Sequence, residues 1–317
     1  KMYKNFWDGE NWLKELKQKN KTKYFLNGKL HRRYGPAIIE YDIYGNIELK
    51  KYYINGIIGS KEYYHNGKLH RENAPAKIIY DDDIIEAEYY YHNGKFHREN
   101  APAVIKYYSN GMIGSEEYYI NDRHHRIDGP AEIWYYENNN VYSEFYYLYG
   151  TLHRENGPAE ICYDRLGNVN FVIYYKNNNL HRIDGPALID YYDGLVTKEE
   201  YYYHGKKHRT DGPAIIKYFI NTVKLEEYYY HGKKHRTDGP AIIQFYSNGS
   251  IETKHYYINN VKHRENGPSF VWYEPNGNVK KEIYFFDGIK INLKKLPFDF
   301  PIDTEEKKFM FQLKYRV

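Results

Sequence analysis

The chain lacks three features, and each absence excludes a class of protein. It has one cysteine, Cys162, among 317 residues, so no internal disulfide can form, which fits a reducing compartment. No run approaches 18 apolar residues, which excludes a membrane-spanning helix. An excess of charge of one sign is also missing. The 46 basic and 42 acidic side chains give a net charge of +4, too balanced to predict a nucleic-acid partner.

Tyrosine is abundant instead, with 41 copies, and much of it belongs to a repeat. The sixteen residues 201–216, YYYHGKKHRTDGPAII, recur unchanged at 228–243. Nine His-Arg pairs mark looser copies, separated by 39, 27, 28, 28, 28, 27, 27 and 28 residues. A fixed period of this size is typical of a repeat architecture. The histidines are His31, His70, His97, His125, His153, His181, His208, His235 and His263.

Each copy has an internal pattern that predicts β-structure. A tyrosine stands seven residues before the histidine, and a turn pair such as Asn66-Gly67 stands four and three before it. Asn-Gly between strand-like runs is a strong hairpin pattern. A proline such as Pro213 stands five residues after the histidine and is expected at a strand start, because it has no N–H to donate. The alternating run from Ala214 to Tyr218 then predicts an antiparallel strand with one packed face.

The interval from His31 to His70 is longer than the others by 11 residues or more. Glycines at Gly45, Gly56 and Gly67 keep a regular spacing across it, which favours one additional strand near residues 45–56 over a loop or a separate small hairpin. In an antiparallel meander, one additional strand reverses the direction of everything that follows.

The repeat pattern is missing at both ends. In residues 1–22, the segment ENWLKELKQKN places Trp12, Leu13 and Leu16 at helical spacing, so we expect a partly helical N-terminal cap. Residues 291–317 are expected to form a second, partly helical cap, whose helix would begin with a capping box of Asp303 and Glu306.

The block Tyr-Tyr-x-Asn-Gly-Lys-x-His resembles the MORN repeat, whose consensus is roughly Y-x-G-x-W-x-x-G-K-x-H-G. In one copy the match falls on Tyr202, Gly205, Lys206 and His208. Arginine follows the histidine where the family has glycine, and Gly-Pro-Ala replaces the next glycine-containing run. This variant is similar to MORN-like repeats found in phages and in large DNA viruses of amoebae. The resemblance covers residues 23–290.

The expected fold is all-β: an elongated, single-layer, twisted antiparallel meander of about nine MORN-like hairpin repeats in residues 23–290, with short end caps. The resemblance implies a non-enzymatic structural scaffold or protein-interaction protein, with a protein partner or self-assembly. Its viral relatives extend the expectation to a viral structural or host-interaction component. The expected location is an intracellular reducing compartment, a virion or the cytoplasm of an infected host.

The His-Arg pairs are predicted to be structural, because an active site is needed once whereas a stacking position is needed in every repeat. No cysteine or second histidine recurs at a metal-ligand spacing, so we predict no catalytic residue, no metal site and no cofactor. From Arg71 onward each pair is followed by one acid, which would neutralise a stacked column of arginines. The predicted structural residues are His70, Arg71, His97, Arg98, His125, Arg126, His153, Arg154, His181, Arg182, His208, Arg209, His235, Arg236, His263 and Arg264.

The paired tyrosines leave an alternative function open. Neighbours such as Tyr201 and Tyr202 point to opposite faces of a strand, so one member of each pair forms an outward row. Cross-strand aromatic pairs explain such a row by stability alone. A contiguous exposed row would also suit a phospholipid- or glycan-binding module.

Overall fold

The computed structural model describes residues 2–315, without the side chains of Met2 and Leu313. The chain divides into two compact units, Lys1–Arg154 with Ala159–Gly167 and Glu155–Pro158 with Asn168–Val317. Each unit is an open antiparallel meander of short strands, so the predicted all-β hairpin-repeat class is confirmed. None of the described helices is long and apolar enough to cross a membrane.

The long strands form the main sheet of each unit. In the first unit they are Met2–Trp7, Trp12–Gln18, Lys21–Leu26, Ile38–Tyr41, Ile47–Ile54, Ile57–His65, Lys77–Asp81, Ile84–Tyr89, Val104–Tyr107, Ile113–Glu117, Glu132–Tyr135, Val141–Phe145 and Glu160–Tyr163. In the second unit they are Val169–Ile173, Leu188–Tyr192, Leu195–Glu200, Ile215–Phe219, Thr222–Glu227, Ile242–Phe245, Ile251–His255, Phe270–Tyr273, Val279–Phe286 and Ile289–Ile291.

Short strands of two residues form a small hairpin in each repeat, at the turn pair before the histidine. In the first unit they are Lys29–Leu30, Lys68–Leu69, Tyr91–His92, Lys95–Phe96, Tyr119–Ile120, Arg123–His124, Tyr147–Leu148 and Thr151–Leu152. In the second unit they are Tyr175–Lys176, Asn179–Leu180, Tyr202–Tyr203, Lys206–Lys207, Tyr229–Tyr230, Lys233–Lys234, Tyr257–Ile258 and Val261–Lys262.

One repeat therefore contributes two long strands and one short hairpin. In the second unit Leu195–Glu200 pairs with Ile215–Phe219, which pairs in turn with Thr222–Glu227. Between Glu200 and Ile215 the chain leaves the main sheet and forms the short hairpin and the loop that follows His208. We call the side of the sheet that carries these features the His-Arg edge. The opposite side, where tight turns join the long strands, is the turn edge.

Proline marks the return of the chain to the main sheet, as predicted. Pro213 comes two residues before the strand Ile215–Phe219. The residue between them, Ala214, is completely buried. Its N–H donates to the carbonyl of Glu227 and its carbonyl accepts from the N–H of Tyr201, both at 2.8 Å. The position is small because it touches the next long strand and the base of the short hairpin at once.

The additional strand near residues 45–56 is confirmed. Ile47–Ile54 pairs with Ile38–Tyr41 on one side and with Ile57–His65 on the other, and Ile57–His65 then pairs with Lys77–Asp81. Three long strands thus separate the first two short hairpins, where later repeats have two. An odd number reverses the direction of the chain, so the first short hairpin lies at the turn edge.

The helical prediction for residues 1–22 is wrong, because this segment forms two antiparallel strands. Met2–Trp7 pairs with Trp12–Gln18, which pairs with Lys21–Leu26. Leu13 and Glu15 are buried on one face, and Glu15 accepts a hydrogen bond from the hydroxyl of Tyr24 at 3.0 Å. The edge of the neighbouring strand offers backbone partners that override the local helical spacing.

The C-terminal cap is partly helical. A single 3₁₀ turn spans Leu293–Lys295 and an α-helix spans Glu305–Tyr315. The cap of the helix is Thr304, whose Oγ1 accepts from the N–H of Lys307 at 3.2 Å, and not the predicted Asp303. The helix covers a small apolar cluster formed by Phe286, Ile291, Ile302 and Phe311. Ile291 thus fills the position where a tenth histidine would fall.

The prediction that each strand packs only one face is wrong. Ile215 is buried on the face opposite to Ile216, and Ile242 repeats this arrangement in the next copy. No second layer is needed, because tyrosine and lysine side chains of adjacent strands cover both faces. On one face, buried Glu200 is held by the hydroxyl of Tyr202 at 2.7 Å and by the Nζ atom of Lys198 at 2.7 Å.

Replacing Ala214 by valine should lower the free energy of unfolding by about 1–3 kcal/mol, because two methyl groups must enter a site with no space. Urea unfolding followed by circular dichroism measures the change. Lys217→Val, at an exposed position of the same strand, is the matched control and should be nearly neutral. Equal stability of both variants would contradict the role assigned to Ala214.

Candidate functional site

An arginine-tyrosine contact recurs in every repeat. The guanidinium carbon of the arginine that follows each repeat histidine lies 3.7 to 4.4 Å from the ring centroid of the tyrosine seven residues before that histidine. The pairs are Arg32–Tyr24, Arg71–Tyr63, Arg98–Tyr90, Arg126–Tyr118, Arg154–Tyr146, Arg182–Tyr174, Arg209–Tyr201, Arg236–Tyr228 and Arg264–Tyr256. A cation at this distance over an aromatic ring is attracted by the ring electrons.

The loop after the histidine holds the other face of the arginine. In the copy of His208, Nε of Arg209 donates to Asp211 at 2.9 Å and Nη1 donates to the carbonyl of Pro213 at 3.4 Å. A Cβ atom at Gly212 would lie 3.0 Å from Cζ of Arg209. The loop is therefore glycine-containing because the guanidinium plane lies against it. We call this arrangement of tyrosine, arginine and loop the arginine clamp.

The predicted pairing of arginine with a following acid is present in the four copies that carry aspartate. The Nε–Oδ1 distances are 2.8 to 3.1 Å for Arg126–Asp128, Arg182–Asp184, Arg209–Asp211 and Arg236–Asp238. The hydrogen bond from Arg209 lowers the pKa of Asp211. In a copy with glutamate the acid has a different partner: Oε1 of Glu72 lies 3.0 Å from Nε2 of His70.

The repeat histidine joins one repeat to the next. Nδ1 of His208 accepts the N–H of His231 at 3.1 Å, and Nδ1 of His181 accepts the N–H of His204 at the same distance. The turn residue that donates this N–H has positive φ, 47° at His204 and 45° at His231. Equivalent bonds are made by His31, His70, His125, His235 and His263. In the neutral rings of His181 and His208 the proton is then on Nε2.

A single column of nine His-Arg pairs does not form. Nδ1 of His31 accepts the N–H of Asn55 at 3.1 Å, and the N–H of Arg32 donates to the carbonyl of Tyr53. Asn55 lies at the start of the strand Ile57–His65, whereas His70 follows the end of that strand. The first pair therefore lies on the turn edge of the first unit, opposite to His70. The added strand is the physical reason.

The two tyrosines of each pair are used within the sheet. The first lies in the arginine clamp. In four copies the second donates to a glutamate two residues earlier, as the hydroxyl of Tyr229 does to Glu227 at 2.8 Å. On the His-Arg edge of the second unit, the third members of YYY, Tyr203 and Tyr230, point outward instead and are 43% and 47% exposed. These two positions were not predicted from the sequence, although the YYY triplet marks them.

Tyr203 and Tyr230 alternate with repeat histidines along the His-Arg edge of the second unit. The ring centroids of His181 and Tyr203 are 5.1 Å apart, and those of Tyr203 and His208 are 6.0 Å apart. The spacing repeats at 5.0 Å from His208 to Tyr230 and at 5.9 Å from Tyr230 to His235. We call these five residues the His-Tyr row.

A notch lies at the end of the His-Tyr row. Its volume is about 420 Å³, and its walls come from two consecutive loops after the histidine. Arg209, Asp211, Tyr230, His235 and Asp238 contribute to these walls. A notch of about 450 Å³ recurs at the corresponding place in the first unit, where Ile120 stands in place of Tyr230. The notch is thus a product of the repeat. Its tyrosines are Tyr118 and Tyr149 in the first unit, and Tyr228, Tyr229 and Tyr230 in the second.

The turn edge of the second unit carries exposed apolar residues, which the sequence analysis also missed. Tyr192 is 74% exposed, Phe219 is 59% exposed and Ile220 is 73% exposed. Ile220 has φ of +45°, a conformation in which a β-branched residue is a rare outlier. The neighbouring turn uses Asp193 and Gly194, which suit positive φ. The sequence feature that could have indicated this surface is Ile220 itself, an isoleucine at a turn position where asparagine is typical.

Three potential metal ligands lie together in the first unit, at His70, Glu72 and His92. Nδ1 of His70 accepts the N–H of Asn93 at 3.0 Å, so the ring proton is on Nε2, next to Glu72. A metal ligand needs a lone pair on that nitrogen, and a ligating imidazole normally donates from its other nitrogen. A cation would have to break the bond to Asn93, so the arrangement suits a histidine-glutamate hydrogen bond.

No protein-family model and no curated protein matches the chain. Among solved structures, an alternansucrase in complex with isomaltononaose shares 15% identity over 87% of this chain and 18% of that chain, with a TM-score of 0.16. The Photorhabdus luminescens Tc holotoxin pore shares 11% identity over 84% of this chain and 16% of that chain, with a TM-score of 0.15. This chain spans less than a fifth of either, and likenesses this weak carry no argument.

Gly212→Ala should lower the free energy of unfolding by about 1–3 kcal/mol, because Arg209 cannot retreat from the new methyl group while it stacks on Tyr201. Thermal or urea unfolding measures the loss. Ala74 occupies the equivalent position in another copy, where the preceding Asn73 has φ of +55°. Adding Asp211→Asn should therefore recover part of the stability. A single variant as stable as wild type would contradict the clamp.

Mild acid should weaken the second unit through His208. Burial first, and His231 second, lower the pKa of His208 below its ordinary value of 6.5. The folded chain then binds this proton less tightly than the unfolded chain. This contribution to stability is present above the unfolded pKa and is lost as pH falls through the folded pKa. Urea midpoints between about pH 8 and about pH 5 should fall less steeply for His208→Gln. Parallel curves would contradict this assignment.

Proposed function

We propose that the chain is a non-enzymatic, MORN-like repeat scaffold that binds a protein partner. The groups that could do chemistry recur in every copy of the repeat and make contacts within the sheet. The arginines lie in clamps, and the repeat histidines join successive hairpins. The one thiol, Cys162, is buried, and burial raises its pKa to about 11, which suppresses the nucleophilic thiolate.

The proposed partner surface is the turn edge of the second unit. Tyr192, Phe219 and Ile220 lie on successive tight turns and are mostly exposed. Exposed apolar side chains on adjacent turns favour a protein contact, since aromatic and aliphatic anchors dominate interface energies. The proposed partner is a protein, either a second copy of this chain or a viral or host protein.

Ile220 is the observation that carries the proposal. A non-glycine residue at positive φ costs roughly 1–2 kcal/mol, and a β-branched residue pays more than asparagine does. The side chain is 73% exposed, so burial within the chain does not offset this cost. Strain of this kind marks functional positions when the fold itself gains nothing from it. Contact with a partner would supply the missing stabilisation.

Ile220→Asn should therefore have opposite effects on stability and on binding. Asparagine tolerates positive φ, so the variant should be more stable by about 1 kcal/mol. A tagged chain purified from cells that naturally make it should recover less of its protein partner, as measured by quantitative mass spectrometry.

Ile183→Asn is the matched control, because Ile183 is 83% exposed but lies on the His-Arg edge. It should leave both the stability and the recovered partner nearly unchanged. Equal recovery with Ile220→Asn, or lower stability of that variant, would count against the turn edge as the partner surface. Lipid retained by the purified chain would favour the phospholipid alternative over a protein scaffold.

A further inference from the structure

We propose that the His-Tyr row of the second unit binds an extended, neutral glycan chain. This goes beyond the proposed scaffold function and uses the opposite edge of the sheet. The row contains aromatic rings at intervals of 5.0 to 6.0 Å, from His181 to His235. Rings in a row can stack against the apolar faces of successive sugars.

The repeat sets a period that suits a regular polymer. Two long strands separate equivalent points, and strands lie about 4.8 Å apart, so the notches recur roughly every 10 Å. One repeat of the row contains one tyrosine and one histidine. An extended β-linked glycan places two sugar rings over a comparable distance, so each ring of the row meets one sugar.

The hydrogen-bonding groups of the notch favour hydroxyl groups as ligands. The side chain of Arg209 has five N–H groups. Two of them donate to Asp211 and Pro213, so among the described residues three can still donate to a ligand. Nδ1 of His235 accepts the N–H of Asn259, so its Nε2 carries the proton and can donate. The second carboxylate oxygen of Asp211 can accept. Sugar hydroxyls both donate and accept, which matches this mixture.

The charge of the row disfavours an anionic polymer. Arg209 and Arg236 are each neutralised by an aspartate of the same loop, at 2.9 and 2.8 Å. Lys207 and Lys234, which directly precede His208 and His235, reach Glu200 and Glu227 at 3.5 and 3.8 Å. A proline-rich peptide would offer carbonyl acceptors but few donors for the aspartate oxygens. A neutral glycan satisfies both.

Isothermal titration of the full chain with cellohexaose, xylohexaose, chitohexaose and maltohexaose tests the proposal. At least one β-linked hexasaccharide should bind, and about tenfold more tightly than its disaccharide, because the longer chain spans several rings. Replacing both Tyr203 and Tyr230 by alanine should weaken binding by about tenfold or more, as expected for two lost stacking contacts. Replacing both by phenylalanine keeps the rings and should retain most of the affinity.

Tyr192→Ala is the matched control, since it removes an exposed tyrosine from the turn edge and should leave glycan affinity unchanged. Thermal unfolding of each variant shows whether the fold is kept, and the phenylalanine pair decides the result if the alanine pair unfolds. Absence of binding by every hexasaccharide overturns the proposal. Preferential binding of a heparin hexasaccharide or a proline-rich peptide overturns it too, as would an equal loss in Tyr192→Ala. Ile220→Asn should leave glycan affinity intact, so the two proposals fail independently.

Discussion

The stacking of arginine on tyrosine is the interaction on which each repeat depends. A single-layer sheet has no second layer to bury its faces, so each repeat must complete its own packing. Arg209 does this by filling the space between Tyr201 and the loop that ends at Pro213. The same contact fixes the point at which the chain re-enters the main sheet. The packing around the arginine then determines why histidine, glycine, proline and alanine recur at the neighbouring positions of the repeat.

The sequence predicted the architecture because the pattern is enforced at every copy. Turn pairs, strand alternation and the proline position repeat nine times, so an error in one copy is corrected by the others. The extra strand was predictable because its turn spacing is regular. The N-terminal segment had no such redundancy. Trp12, Leu13 and Leu16 fit a helix locally, but the neighbouring strand Lys21–Leu26 supplied a backbone ladder that the local pattern could not show.

The candidate sites were less predictable than the fold, because only some of their contacts follow from the side chains alone. The pairing of Arg209 with Asp211 follows from opposite charges close in the chain. The turn of Glu72 toward His70 depends on the loop backbone, where the next residue, Asn73, has positive φ. The strain at Ile220 is likewise a property of the backbone and is invisible in composition. Sequence patterns report which side chains occur, whereas such sites depend on how the backbone presents them.

A repeat protein contains its own control for function. Positions that the fold requires are the same in every copy, as Ala214 and its equivalents are, with Ser269 the exception. Function is then expected where copies differ at exposed positions. The position of Tyr203 and Tyr230 is occupied by His65, His92, Ile120 and Leu148 in other copies of the first unit, and by Lys176 and Ile258 in other copies of the second. Each copy has a short hairpin at this place. The difference therefore cannot serve the fold of the repeat. It changes only what the His-Arg edge offers to solvent, which is the requirement for a binding surface.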